Sequence, residues 1–258
     1  MRVKKIKNIL LAFVPPIIIV LAWFYATNYG NTPSAILPKI SAVGQACIAN
    51  IKSGQLLNDL KESLGSVLKG YLVAAIVGIV IGSLMGMFKT IKMILQPTIT
   101  CIRSIPMIAW MPMIILWCGI GQISKVVLIV IAATFPILVN TQGGMEGTPD
   151  GLVEVARLYK LNGFEKFIRV YLPHALPQIL VGLKLGLSVS WMAVVGAELI
   201  ASTAGIGYRL SNARSMMQSD VLILCMIIVG LIGIFMDKIL GVVFATFTPW
   251  EKAANKHS

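Results

Sequence analysis

The sequence predicts an all-α integral membrane protein with about six transmembrane helices. Three observations carry that expectation. Of 258 residues, 57% are hydrophobic and only 12% are charged, roughly half the charge that covers a water-soluble domain. Mean hydropathy is +0.85. The apolar residues also fall into runs of about 20, the length of helix that crosses a bilayer. A soluble enzyme, a disordered tail and a collagen-like rod are excluded, and no room is left for a second folded domain.

The elements follow in order. Residues 1–8 carry Arg2, Lys4, Lys5 and Lys7 and are expected in the cytoplasm, with 9–27 as the first span. That run is long for a signal-peptide core, and no small-x-small cleavage site follows it. Pro15 and Pro16 are expected to kink it. Residues 28–69 form an outer loop that opens on the turn residues Asn31, Pro33 and Pro38. Val43, Cys47 and Ile51, then Leu56, Leu57, Leu60, Leu64 and Leu68, recur at helical spacing, which reads as amphipathic helix lying partly along the membrane surface.

Residues 70–247 form a core of five spans. Gly70 to Phe88 is the uncharged second span, and its Ala74, Gly78, Gly82 and Gly86 make a small-residue stripe that lets another helix approach. Ser104 to Ser124 is the third, irregular near Pro106 and Pro112, and Lys125 marks a short outer turn. Val126 to Met145 is the fourth. The polar stretch 146–173 is a cytoplasmic loop. Leu176 to about Ile200 is the fifth span, with a second stripe at Gly182, Gly186 and Ser190. Both stripes are packing surfaces, within the chain or between two copies. An outer loop covers 201–220, the sixth span begins at Val221, and 248–258 is a cytoplasmic tail with Trp250 near the headgroups. With this threading Lys and Arg concentrate on the inner side, among them Lys89, Lys92, Arg103, Arg157, Lys160, Lys166 and Arg169. That places both termini in the cytoplasm and accounts for the net charge of +12 without nucleic acid.

No bond chemistry is expected of this chain. Cys47, Cys101, Cys118 and Cys225 form no CxxC pair, so neither a metal site nor a disulfide framework is indicated. His174 and His257 are too far apart in sequence for a zinc-protease motif, and no serine has an evident His and Asp partner set. No Gly-x4-Gly-Lys-Ser/Thr occurs, so any ATP would be bound by another chain. Two ionisable residues fall in or at the end of the fifth span, Glu198 and Lys184. A charge at mid-bilayer costs roughly 2.5–3.5 kcal/mol on insertion scales, so such a group faces a cavity or a partner. Both are candidates for a translocation path, as are the large side chains Met111 and Trp191, although large apolar residues in spans more often pack against the bundle or lipid.

The loop 146–173 holds the most specific pattern. It reads Glu154-Val155-Ala156, three residues, Lys160, nine residues, then Val170-Tyr171-Leu172-Pro173. This resembles the EAA loop of ATP-binding-cassette (ABC) importer permeases, whose pattern is Glu-Ala-Ala, three residues, Gly, nine residues, Ile-x-Leu-Pro. Lys160 stands where that family has glycine. Lys tolerates positive φ poorly, and Gly163 is expected to take over the turn. Thr32-Pro33-Ser34, Leu37-Pro38, Arg103-Ser104-Ile105-Pro106, Ala197-Glu198 and Gly205-Ile206-Gly207-Tyr208 extend the resemblance to the nitrate, sulfonate and taurine branch over nearly the whole chain.

The resemblance implies a type I ABC importer-like permease of a bacterial inner membrane. Two copies would pair around a central path, and two ATPase subunits would dock on the cytoplasmic loops. An extracytoplasmic binding protein would deliver a small anion such as an alkanesulfonate, taurine or nitrate. Pyrimidine vitamin precursors are the alternative cargo. The residues assigned to the ATPase-coupling loop are Glu154, Val155, Ala156, Leu158, Lys160, Gly163, Leu172 and Pro173, with Leu172-Pro173 ending its second helix. An ion-coupled secondary transporter would instead show internal repeats and buried coupling charges, and a membrane-embedded enzyme a convergent polar cluster; neither is evident.

Overall fold

The computed structural model describes residues 2–30 and 33–247. Thr32, Trp250 and the tail 248–258 lie outside the described residues. The described chain is helical: α1 (Arg2–Asn28), α2 (Ile40–Lys52), α3 (Gln55–Met87), α4 (Lys89–Ser104), a 3-10 turn (Met107–Trp110), α5 (Met111–Cys118), α6 (Gln122–Glu146), α7 (Asp150–Leu158), α8 (Gly163–Lys166), a π turn (Phe167–Tyr171), α9 (Leu172–Ala201), α10 (Ile206–Ser215) and α11 (Ser219–Phe247). Four stretches are long and apolar enough to cross a membrane: Gln55–Met87, Gln122–Glu146, Gly163–Ala201 and Ser219–Phe244. The pair α4 and α5, bent by 91°, makes a fifth if it is one span. Of the six expected, α1 is the remaining candidate; it runs through Pro15 and Pro16 without a break.

Helices α3, α6 and α9 form the tightest part of the bundle. Small residues allow it. A Cβ at Gly78 would sit 2.9 Å from the Ile137 side chain of α6, and one at Gly186 of α9 would sit 2.7 Å from the same side chain. Ile137 is fully buried between the two. Both small-residue stripes are therefore used within one chain. Dispersion depends on such close contact, and a gap of half an ångström already forfeits much of it.

Four boundaries differ from the sequence expectation, each for a local reason. The amphipathic stretch 56–68 and the second span form one unbroken 33-residue helix, α3, because Lys69 and Gly70 interrupt hydrophobicity without interrupting the helical hydrogen bonds. The third span is broken near its start. Pro106 disfavours the α region for the residue before it, and Ile105 is extended at φ −77°, ψ 122°. Pro112, in contrast, lies in the first turn of α5, where a missing N–H costs little. Lys125 is not in a turn. The reversal is made one step earlier by Gly119 and Gly121 at φ +73° and +144°, and Lys125 lies in the first turn of α6. Finally, Leu172-Pro173 does not end a helix. The π turn before it leads directly into α9, with Pro173 in the first turn.

Candidate functional site

Three groups of residues carry the chemistry. The first is a knob built from α7 and α8 at one end of the bundle. Asp150 sits in the first turn of α7 and Arg157 in the last, which complements the helix dipole. The helix stops in a Schellman turn: the Lys160 amide donates to the Arg157 carbonyl at 2.9 Å and the Leu161 amide to the Ala156 carbonyl at 3.1 Å. Lys160 itself takes the left-handed conformation, φ +54°, while Gly163 begins α8 with ordinary backbone. Gly163 therefore does not take over the turn; the position where the EAA pattern has glycine keeps glycine's geometry with a lysine in it. A capping box follows, in which Asn162 accepts from the Glu165 amide and Glu165 accepts from the Asn162 amide, at 2.8 and 2.9 Å.

The surface of this knob is unusual for its apolar content. Ala156 is buried, but Leu158 is 81% exposed, Tyr159 77% and Phe164 70%, with Leu152 and Val155 each about half exposed. Glu154 is exposed beside them and has no ion pair among the described residues. The side chains that hold the knob's shape are thus separate from those it presents.

The second group closes the opposite end, where α3, α6, α9 and α10 meet. Glu198 is 1% exposed. The Ser63 hydroxyl donates to its carboxylate, with Oγ 2.9 and 2.7 Å from the two oxygens. The Gly207 amide donates at 3.0 Å, and Lys125 Nζ lies at 3.5 Å. Lys125, only 2% exposed, also bonds to Glu62 at 3.0 Å. The Ser63 oxygen accepts in turn from the Ile206 amide at 3.0 Å. The Gly205-Ile206-Gly207 run is explained by this approach. A Cβ on Gly205 would collide with the Glu198 carboxylate, and one on Gly207 would lie 2.5 Å from the Val195 carbonyl. Beside it Arg209 pairs with Asp59 and donates to Asn50 at 2.7 Å and Gln55 at 3.1 Å, tying α10 to α2 and α3.

The third is a groove of about 590 Å³ between the broken α4–α5 pair, α6 and α9. Its α6 wall runs from Ile131 to Asn140, the middle of that helix. Arg103, Ser104 and Asn140 supply its polar side chains, among apolar walls that include Ile105, Pro106, Trp110 and Phe135. Threaded by charge alone, Arg103 fell at the inner surface; the structure sets it beside the middle of α6.

The residues expected on a path are distributed otherwise. Glu198 is sealed in the cluster just described. Met111 packs with Ile114, Leu128 and Ala197. Trp191 is 4% exposed and donates to the Val229 carbonyl at 3.0 Å. Lys184 pairs with Asp237 at 3.1 Å, on a surface where both side chains remain about two-fifths exposed. None of the four lines the groove. Sequence reasoning missed Ser63 and Lys125 as partners of Glu198, and Glu62 as a partner of Lys125; Lys125 looked like a turn residue because its carboxylates lie more than 60 positions away in the chain. Among the described residues no group of three or more His, Cys, Asp or Glu is arranged to hold a metal.

Comparison with known proteins places these features in a lineage. Residues 63–248 match the family described as binding-protein-dependent transport system inner membrane component. A putative ABC transporter permease protein of Methanocaldococcus jannaschii is 37% identical, over 95% of this chain and 94% of the relative. The putative aliphatic sulfonates transport permease of Escherichia coli is 34% identical, over 96% and 95%. Among solved structures, an inward-facing form of the MetNI methionine ABC transporter superposes with TM-score 0.58 at 20% identity, covering 74% of this chain and 97% of the other; that likeness concerns the fold.

Proposed function

The chain belongs to the family of binding-protein-dependent transport system inner membrane components, and from that premise we propose how its parts divide the work. It is the membrane-spanning permease subunit of an ATP-driven ABC importer, and ATP hydrolysis in this family resides on a separate chain. In our reading the knob end faces the cytoplasm, both termini lie on that side, and each of two copies receives one ATPase subunit on its α7–α8 loop. An extracytoplasmic binding protein delivers the cargo to the opposite end. The cargo is a small anion such as an alkanesulfonate, taurine or nitrate, in line with the sulfonate permease that resembles this chain.

The observation that carries the coupling role is the exposed apolar face of the knob. Leu158, Tyr159 and Phe164 stand in water in the isolated chain, and an amphipathic helix with such a face is built to enter a groove of another protein. Closure of an ATPase pair around two such knobs would tilt α6 and α9, which the loop joins directly, and so switch the path between outward and inward access. We assign the path to the groove beside α4–α5, with Met111 and Trp191 packed behind its walls and Glu198 holding one end of the bundle together.

The test is Glu154→Arg in the assembled transporter. Uptake is expected to fall to background while ATP hydrolysis persists and the chain still inserts in the membrane. Undiminished uptake would remove the knob from the coupling role.

A further inference from the structure

We propose that Arg103 is the group that binds the transported anion as it passes through the groove. This deepens the preceding reading and rests on it. The groove is centred on the middle third of α6, far from either end of the bundle, and no carboxylate lines it. Its other polar side chains are neutral and already engaged with their own helices: the Ser104 hydroxyl donates to the Thr100 carbonyl at 2.8 Å, and the Asn140 amide nitrogen donates one of its two N–H groups to the Pro136 carbonyl at 2.8 Å. The Arg103 guanidinium has neither a hydrogen bond nor an ion pair to any described residue. Lys125, Lys184 and Arg209 each face a carboxylate; exposed cations such as Arg157 and Arg169 also lack one among the described residues, but Arg103 is the cation that lines this groove.

A simpler role would be to cap the C-terminus of α4, where Arg103 lies in the last turn and a cation is favoured by the helix dipole. Such a cap would bond to the last carbonyls, and no such bond is present. What remains is a planar fork of five donors open to a concave, largely apolar space. That fork matches two oxygens of a sulfonate or nitrate side by side. A mobile oxyanion would satisfy it transiently, whereas a fixed carboxylate would neutralise it and hold the path shut to anions. The extended Ile105-Pro106 link lets this residue sit at the bend, where tilting of α4 against α5 would move it.

The same guanidinium chemistry fits a lipid phosphate, so the experiment has two arms. The complete transporter, with its own ATPase and binding protein, is reconstituted in vesicles of zwitterionic lipid alone and in vesicles containing anionic lipid. Uptake of nitrate and of ethanesulfonate is followed beside uptake of an uncharged solute. Arg103→Gln is expected to lower anion uptake by about tenfold or more, the scale of one lost charge-assisted contact, in both lipids, with ATP hydrolysis and subunit stoichiometry unchanged. Arg103→Lys should keep an intermediate rate. Wild-type uptake by the Gln variant overturns the assignment and leaves the importer reading standing. A defect seen only with anionic lipid, or one that lowers uptake of the uncharged solute as much as that of the anions, assigns Arg103 to lipid instead, since zwitterionic lipid also carries a phosphate. A wild-type complex that carries the uncharged solute and neither anion overturns the anion reading itself.

Discussion

The two ends of this bundle are finished differently. At the end where α3, α6, α9 and α10 meet, the buried carboxylate of Glu198 takes contacts from Ser63, Gly207 and Lys125, and the chain supplies every partner itself. At the knob end Leu158, Tyr159 and Phe164 lie open to water, while the backbone beneath them is fixed by a Schellman turn and a capping box. The first end is complete as a monomer. The second is rigid in shape and incomplete in surface, which is what a docking element requires: a loop already ordered loses little entropy on binding.

The contrast predicts that substitutions at the closed end cost stability and those at the knob cost coupling. The largest effect is expected from Lys125→Met, which leaves Glu198 buried without its cation. Removing one partner of a buried pair costs about 3–5 kcal/mol, so the thermal transition of the purified chain should fall by many degrees. Lys125→Met with Glu198→Gln should recover most of it; no recovery in the double variant would mean that the cluster is not held by charge. Next is Gly207→Ala, whose Cβ would meet the Val195 carbonyl and Glu198 Cβ at 2.5 and 2.7 Å. Overpacking of this kind costs about 1–3 kcal/mol, again read in the melting curve. Leu158→Asp should leave that curve unchanged, because the side chain is 81% exposed. It should weaken capture of the ATPase by about tenfold, the scale of one buried apolar side chain, measured by titrating ATPase onto the detergent-solubilised chain. A stability loss in this variant would erase the distinction between the two ends. The smallest effect belongs to Lys160→Gly. Relief of a left-handed lysine, worth about 1 kcal/mol, is offset by the extra freedom of glycine in the unfolded chain, about 0.5–1 kcal/mol. Hydrogen exchange across 156–162 should change little and uptake not at all.

The same contrast explains what could be read from the chain. Most spans were legible because hydrophobic length is a property of neighbours in sequence, whereas the fusion of the outer amphipathic stretch into α3 and the break at Ile105-Pro106 were not. The knob's place in the chain was legible too, since Glu154-Val155-Ala156 and Leu172-Pro173 occur at fixed spacing within one loop, although its second boundary was not. The closed end was not. Glu198 is held by Ser63, 135 positions away, and no local pattern encodes that meeting. Lys125 was misplaced for the same reason: a lysine after a Gly-rich stretch looks like a turn until its distant carboxylates are known. Leu172-Pro173 misled in a different way, because a π turn can deliver a proline into the first turn of a following helix without ending it. Lys160 is the instructive middle case, in which the pattern named the position that needs positive φ although the residue there argued against it.

In the proposed function the knob is the unfilled half of an interface with an ATPase. The most direct test of that role is recovery of the tagged chain from its native membrane in a mild detergent, with bound proteins identified by mass spectrometry. An ATPase is expected in an amount about equal to the chain, and in a much smaller amount with the Leu158→Asp variant. Recovery of the wild-type chain without an ATPase, under conditions that preserve other membrane complexes, would contradict it.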